Sequence, residues 1–291
     1  MAGEHQPALD DLPVLPPPRE KDYEGYVTSY LFPATVRPGI LALRALNVEL
    51  ATIPDVARET SIARMRYQFW RDTLTKAVNG TAVEHPVALA LTDSLRRSKL
   101  STSWLMRLVQ AREEDLEGRT MYTLTDLDKW AEANHSTLLY LQLEMLGIRD
   151  VHADHAASHL GKATGIVATL RGAAFHARHR RSYIPAEVAA KAGLSTEMLF
   201  RKGPEAPGVE DAFHTVASSA HAHLHSAISL QGKASKDALP VLMGAVPVSR
   251  YLDRLLHVQF NPFHPKLQKK DWSLPWHMYR TFSRKSLSGL V

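Results

Sequence analysis

The sequence contains no cysteine, and this absence excludes several kinds of chemistry at once. Its 291 residues can form no disulfide, no thiolate metal site and no cysteine nucleophile. A membrane-spanning helix needs about 18 consecutive apolar residues, but the most apolar stretch, 238–248, is short and contains two prolines. Glycine-rich phosphate loops, serine nucleophile motifs and metalloprotease motifs are also missing. The usual motifs of an enzyme are therefore absent.

The residues that are present indicate a globular, helical protein. Hydrophobic residues make up 45% of the chain, which is enough to bury a sizeable core. Long stretches without proline are rich in alanine, leucine, arginine, glutamate and methionine, which favour helices, and strand signals are nearly absent. No long linker divides these stretches. We therefore expect an all-α fold in which residues 21–259 form one helical domain.

The two ends of the chain differ from this central part. Residues 1–20 are acidic and rich in proline, so we expect a disordered leader. This leader lacks the apolar run of a signal peptide and the Arg/Ser bias of a transit peptide, so either the protein is cytosolic or a presequence has been removed. Residues 260–291 combine six Lys or Arg with two tryptophans. We expect a basic aromatic C-terminal arm that could bind an anionic membrane surface or an acidic partner.

Proline, glycine and capping residues predict where the helices begin and end. One helix should lie between Pro38 and Pro54, and another should begin after an N-cap at Thr125. A long helix is expected over about 154–176, and Pro185 should open a short helix. Other helices are predicted between the remaining glycine and proline breaks.

Three histidines form the most conspicuous polar cluster of the sequence. His152, His155 and His159 are three and four residues apart, so their side chains should share one face of a helix. Such a face could dock a partner, or hold a metal ion if a ligand from another element converged on it. Histidines that pack or cap the helix explain the same spacing, and we favour that interpretation. We predict no metal site.

A basic run follows the predicted long helix. Arg178, Arg180 and Arg181 could contact phosphate or an anionic lipid, because a guanidinium group pairs with phosphate through two hydrogen bonds. A solvated basic turn is the alternative. Nucleic-acid binding is not expected, because no recognition fold accompanies the charge.

Several segments in order resemble the squalene/phytoene synthases, helical enzymes that condense two prenyl diphosphates. The resemblance extends from about residue 23 to residue 258, and it implies a single-domain isoprenoid synthase-like helical bundle. The segments that carry it are Leu31-Phe32-Pro33, Ala42-Leu43-Arg44, Trp70, His85-Pro86-Val87, 108–116 with Asp115, 161–171 and 180–185.

The resemblance implies two aspartate clusters that hold Mg²⁺ against the diphosphate groups. In the first cluster, Asn47 and Ala51 occupy aspartate positions, and the one acidic residue, Glu49, is shifted in register. In the second cluster, Gly172 and His176 occupy them. Removal of nearly every ligand should abolish such a site. We therefore expect a pseudoenzyme with no catalytic residue and no cofactor.

Bulky residues are expected to reduce the volume available to a prenyl chain. Leu138, Leu139 and Tyr140 stand where the family has small residues near its middle helix. Side chains of this size would fill part of the cavity.

The sequence is more similar to a catalytically silent mitochondrial branch of the family, notably over 22–26, 42–51, 65–70 and 151–162. This resemblance implies a protein of the mitochondrial matrix, associated with the inner membrane, whose presequence has been removed. It would assist assembly of respiratory complex I by binding a complex I subunit or another assembly factor. The alternative is a residual prenyl diphosphate-using transferase or a prenyl-lipid-binding protein, with Glu49 and Asp115 among its metal ligands.

Overall fold

The computed structural model describes residues 21–57, 59–118 and 120–290, and these residues contain no β-strand. The all-α prediction is therefore confirmed, whereas the predicted leader lies outside the described residues. The helices are α1 (Tyr23–Ser29), α2 (Arg37–Val56), α3 (Thr60–Val78), α4 (Pro86–Arg97), α5 (Thr102–Glu114), α6 (Leu124–Ala131), α7 (Thr137–Met145), α8 (Val151–Arg171), α9 (Ala173–Arg178), α10 (Ala186–Lys191), α11 (Thr196–Lys202), α12 (Val209–Gln231), α13 (Leu239–Leu242), α14 (Ala245–His257) and α15 (Leu274–Arg284). A π-helical segment, Glu132–Ser136, joins α6 to α7. Within the described ranges, no helix has the length and apolarity needed to cross a membrane.

Helix α8 is the central element of the bundle and packs against α6, α7, α12 and the π-helical segment. Two glycines allow the backbones to approach closely. A Cβ atom on Gly161 would lie 2.5 Å from the backbone nitrogen of Ser136, and one on Gly165 would lie 2.6 Å from the Cβ of Ala131. The core on one side of α8 contains α12 and α14, and the core on the other side contains α2 to α5.

The N-cap of α6 differs from the predicted one. Thr123, not Thr125, caps this helix: its side-chain oxygen accepts a hydrogen bond from the Asp126 amide at 3.2 Å. The Asp126 carboxylate accepts one from the Thr123 amide at 3.0 Å in return. This capping box satisfies two backbone donors, so the helix begins before the predicted position.

The helix predicted over 154–176 is interrupted. Helix α8 ends at Arg171, Gly172 lies between the two helices with a ψ of 0°, and α9 begins at Ala173. Glycine is a poor helix former because it loses the most backbone entropy. Helix α2, in contrast, continues past the predicted stop, because Pro54 lies inside it near its end.

The C-terminal segment lies against the bundle. Leu267, Leu274, Met278 and Leu287 are buried in the same core as α12 and α14. Helix α15 is thereby held against α14. The domain boundary that we placed after residue 259 stays a prediction.

Candidate functional site

An interior cavity of about 290 Å³ lies between α2, α7, α8 and the region of α13 and α14. The first degenerate aspartate cluster reaches this cavity, since Asn47 and Ala51 line its wall. Glu49 does not, because two residues along a helix separate it from Asn47 by more than half a turn. The wall contains apolar Leu138, Leu139, Leu160, Val167 and Val248, and polar Thr52, His135, Gln142 and Thr164.

The three bulky residues expected in the cavity face two directions. Leu138 and Leu139 line the cavity, in agreement with the expectation. Tyr140 does not: it lines a separate surface groove of about 1140 Å³ and stacks on Trp104, with 5.0 Å between the ring centroids. Its hydroxyl donates to the Glu132 carboxylate at 3.4 Å. Successive helical residues point in directions about 100° apart, so the third residue leaves the cavity wall.

A half-buried arginine lies beside the first cluster. Nη2 of Arg112, on α5, donates to Oδ1 of Asn47 at 3.3 Å. The Nε of Arg112 is buried and has no hydrogen-bond partner among the described residues. Burial lowers the pKa of this guanidinium, while Asp115 and Tyr67 oppose the shift. The amide oxygen of Asn47 therefore serves as an acceptor for a protein cation.

The second degenerate cluster places His176, on α9, in the polar region around Arg112 and Asp115. The Tyr183 hydroxyl donates to Oδ2 of Asp115 at 2.8 Å, and its ring lies 4.8 Å from that of His176. Burial raises the pKa of Tyr183, and Asp115 adds to that effect. The imidazole of His176 also fills the space beside Gly172, where a Cβ would lie 2.7 Å from its Nε2. Asn47 and His176 thus lie at two ends of a polar region that contains Arg112, Asp115 and Tyr183, where Asp115 acts electrostatically on both Arg112 and His176.

His135, in the π-helical segment, is the most strongly perturbed titratable group of the cavity wall. Burial, with the positive charges of Arg112 and Arg44, lowers the pKa of His135 to about 3. Arg44 is in turn paired with Asp22, with Nε to Oδ2 at 2.7 Å and Nη2 to Oδ1 at 3.0 Å. The His135 imidazole is therefore neutral near neutral pH.

A basic cleft of about 310 Å³ adjoins the mouth of the cavity. Arg171 lies between the two spaces, paired with Glu24 at 3.0 Å and 4.9 Å above the ring of Tyr251. The Tyr251 hydroxyl is buried without a hydrogen-bond partner in the described chain, and burial raises its pKa to about 12. The other cations of the cleft are Lys21, Arg250, Arg254, Lys269 and Lys270.

The predicted histidine face is divided by the fold. His152 and His155 are exposed on α8, whereas Nδ1 of His159 lies 2.9 Å from Nδ1 of His223 on α12. Nε2 of His223 lies 3.1 Å from Oδ1 of Asp128. Burial lowers the pKa of His159, and His223 adds to this effect. Across the described residues, no three His, Asp or Glu side chains are grouped so that they could hold a metal ion.

The predicted basic run, which begins at the last residue of α9, is exposed. Arg180 is paired with Glu197 at 2.7 Å, and its guanidinium lies 5.4 Å from the ring centroid of Phe200. Arg178 and Arg181 have no ion-pair partner among the described residues. The run therefore presents two free cations to solvent.

Sequence reasoning did not identify three residues of the polar region, Arg112, His135 and Asp55. It also did not predict the contact between Tyr183 and Asp115. Asp55 had a usable signal, because it follows Ala51 by four residues on the face of α2 that carries Asn47. Its charge raises the pKa of His176 against the effect of burial. Arg112 and His135 had no such signal, since their neighbours come from distant segments.

The comparisons with known proteins agree with this architecture. The family model described as "Squalene/phytoene synthase" matches residues 18–280. "NADH dehydrogenase (ubiquinone) complex I, assembly factor 6" of Bos taurus is 42% identical over 92% of this chain and 80% of its own length. The Homo sapiens protein of the same name is 40% identical with the same coverage.

Solved structures with low sequence identity share the fold. A dehydrosqualene synthase crystallised with a ligand superposes with a TM-score of 0.77 at 14% identity, covering 91% of this chain and 93% of its own. A squalene synthase from Alicyclobacillus acidocaldarius has a TM-score of 0.74 at 18% identity, covering 84% and 92%. The chain therefore belongs to the squalene/phytoene synthase family.

Proposed function

We propose that this protein is an assembly factor for respiratory complex I, a helical scaffold that binds a complex I subunit or another assembly factor. Its relatives at 40–42% identity carry that name. We place it in the mitochondrial matrix, peripherally associated with the inner membrane. On this proposal the synthase frame is retained as a rigid support, and prenyl transfer is lost.

The observation that carries the proposal is the contact between Arg112 and Asn47. A Mg²⁺ site for diphosphate requires carboxylate oxygens converging on the cation. At the positions the family resemblance assigns to aspartates, this chain has Asn47, Ala51, Gly172 and His176. The Arg112 guanidinium donates to the side-chain oxygen of Asn47 and places a positive charge directly beside this position. These residues do not fit Mg²⁺, and we derive no catalytic step through it.

A gene-replacement experiment tests the proposal. In cells whose own copy is deleted, we expect assembled complex I to fall on native gels and the tagged full chain to restore it. Crosslinking followed by mass spectrometry should identify a complex I subunit or a known assembly factor. The proposal is wrong if deletion leaves complex I at its normal level and neither class of partner is captured.

The cavity itself favours a second candidate, a prenyl-lipid-binding protein or residual transferase. Its volume of about 290 Å³ is at the lower end of small-molecule sites, which span about 300–1,000 Å³, and its wall is largely apolar. Ala51→Leu separates the two candidates, because it narrows the cavity and leaves the outer surface unchanged. A scaffold should still restore complex I with this substitution, whereas a lipid-dependent protein should not.

A direct assay addresses residual activity. Purified protein is incubated with farnesyl or geranylgeranyl diphosphate and Mg²⁺ or Mn²⁺, and products are separated by chromatography. We expect no condensation product. A product formed by the wild-type chain and lost in Ala51→Leu would replace the scaffold proposal with the transferase.

A further inference from the structure

Helix α15 presents an aromatic and basic surface that no described residue covers. Its inward residues Leu274 and Met278 are each 1% exposed. On the outer side, Trp276 is 59% exposed and Tyr279 is 71% exposed, and Trp272, just before the helix, is 80% exposed. Large aromatic rings exposed to this degree in a group usually mark a binding surface.

These side chains form one continuous face. Trp276 and Tyr279 are three residues apart and Arg280 follows Trp276 by four, so all three project from the same side of the helix. Arg284 continues this line by one further turn. The Arg280 guanidinium lies 5.4 Å from the ring centroid of Trp276. We call Trp272, Trp276, Tyr279, Arg280 and Arg284 the outer face of α15.

The segment that carries this face is predominantly basic. The segment 260–290 contains six Lys or Arg and one acidic residue, Asp271. All six cations are exposed, and none has an ion-pair partner among the described residues. Asp271 is already paired with Arg250 of α14 at 2.5 Å. Burial acts to raise the pKa of Asp271, but this pairing and two hydrogen bonds from Ser273 lower it to about 2. The segment that carries the aromatic rings therefore has cations without ion-pair partners, and its one carboxylate is engaged.

We propose that the outer face of α15 binds the surface of an anionic lipid bilayer. Tryptophan and tyrosine rings are stable at the level of the lipid headgroups, because one part of the ring is apolar and the other part forms hydrogen bonds. Arginine and lysine bind the lipid phosphates. The inference identifies the surface for the membrane association proposed above, and it rests on that part of the proposed function.

A bilayer explains the face better than a protein partner does. Aromatic anchors of protein interfaces are usually packed in pockets and ringed by other contacts. Here the rings project from the convex side of one helix of 11 residues. The acidic residues that line the basic cleft with Lys269 and Lys270 are already paired, Asp22 with Arg44, Glu24 with Arg171 and Asp271 with Arg250. A helix held flat by Leu274 and Met278 presents its side to a plane, as interfacial helices do.

Vesicle flotation tests the electrostatic contribution to membrane binding. Full-length protein is mixed with vesicles of equal parts phosphatidylglycerol and phosphatidylcholine, or with phosphatidylcholine alone. We expect binding to the anionic vesicles that weakens at high salt. The double variant Arg280→Gln with Arg284→Gln should weaken vesicle binding about 25-fold, because each cation is expected to contribute about five-fold. Lys191→Gln with Lys202→Gln, an equal charge change at exposed positions elsewhere, should leave binding unchanged.

A second pair of variants tests the contribution of the aromatic side chains to membrane binding. Trp272→Ser with Trp276→Ser should weaken vesicle binding on the order of ten-fold, because the apolar surface that enters the interface is lost. Met65→Ser with Tyr122→Ser removes comparably exposed apolar surface, 71% and 66% exposed, and should have no effect. Circular dichroism checks that each variant is folded.

The outcomes separate this inference from the assembly function, since the vesicles contain no complex I component. The inference is supported if both outer-face variants lose vesicle binding and both control variants keep it. The inference is overturned if wild-type protein does not float with anionic vesicles, or if the outer-face variants float as well as wild type. It is also overturned if those variants lose capture of a complex I protein while wild type fails to bind vesicles, because the face would then be a protein interface.

Discussion

The neutral state of His135 predicts a pH-dependent loss of stability that a single substitution should remove. Its pKa is lowered from 6.5 to about 3 in the folded protein by burial and by Arg112 and Arg44. Above pH 6.5 the imidazole is neutral in both states, so its contribution to stability is fully present. As the pH falls from 6.5 toward 3, the unfolded chain takes up a proton that the folded chain refuses, and stability decreases.

The size of this loss in the free energy of unfolding depends mainly on the pKa of histidine in the unfolded chain. About 1.5 pH units below 6.5, the loss is about 2 kcal/mol, and any folded-state pKa well below 5 gives the same value. Urea unfolding of wild type, His135→Gln and the exposed control His152→Gln is measured at about pH 7.5 and about pH 5. Wild type and the control should lose about 2 kcal/mol more than His135→Gln. Equal losses in all three proteins would refute the reasoning.

Two further predictions concern the close packing of α8 and the polar centre. Gly161→Ala should lower the free energy of unfolding by about 2 kcal/mol or more, because its Cβ would meet the Ser136 backbone. Gly232→Ala has open space around its Cβ and should be neutral or stabilising by about 0.5 kcal/mol; a Gly161 variant as stable as this control would contradict the packing. Asn47→Asp should raise stability by about 1 kcal/mol at neutral pH, because Arg112 gains a charged acceptor. That gain should disappear in acid and be independent of Mg²⁺ in thermal unfolding; a Mg²⁺-dependent rise in Tm would show a metal site instead.

The helical architecture followed from local features of the chain. Long stretches of good helix formers predicted helices at α2 and α8, and Pro185 predicted the start of α10. The predicted start of α6 failed because two local signals compete. Thr123 and Thr125 both resemble N-caps, and only the reciprocal bond with Asp126 selects the first.

The contacts of the candidate site depended on long-range packing. Arg112 and Asn47 are 65 residues apart, and Tyr183 and Asp115 are 68 apart. His159 and His223 are 64 apart. No periodicity within one helix can indicate which residue of another helix it will meet. The three histidines do lie on α8, but His152 and His155 face solvent, whereas His159 contacts His223.

The sequence by itself determined the helical class, the family resemblance and the residues that stand at the two aspartate positions, because these are properties of the residues and their order. Only the tertiary structure decided what those residues contact. It placed Arg112 against Asn47, turned Tyr140 away from the cavity and left the outer face of α15 exposed among the described residues. The physical reason is that burial, electrostatic fields and exposure are produced by helices brought together from distant parts of the chain.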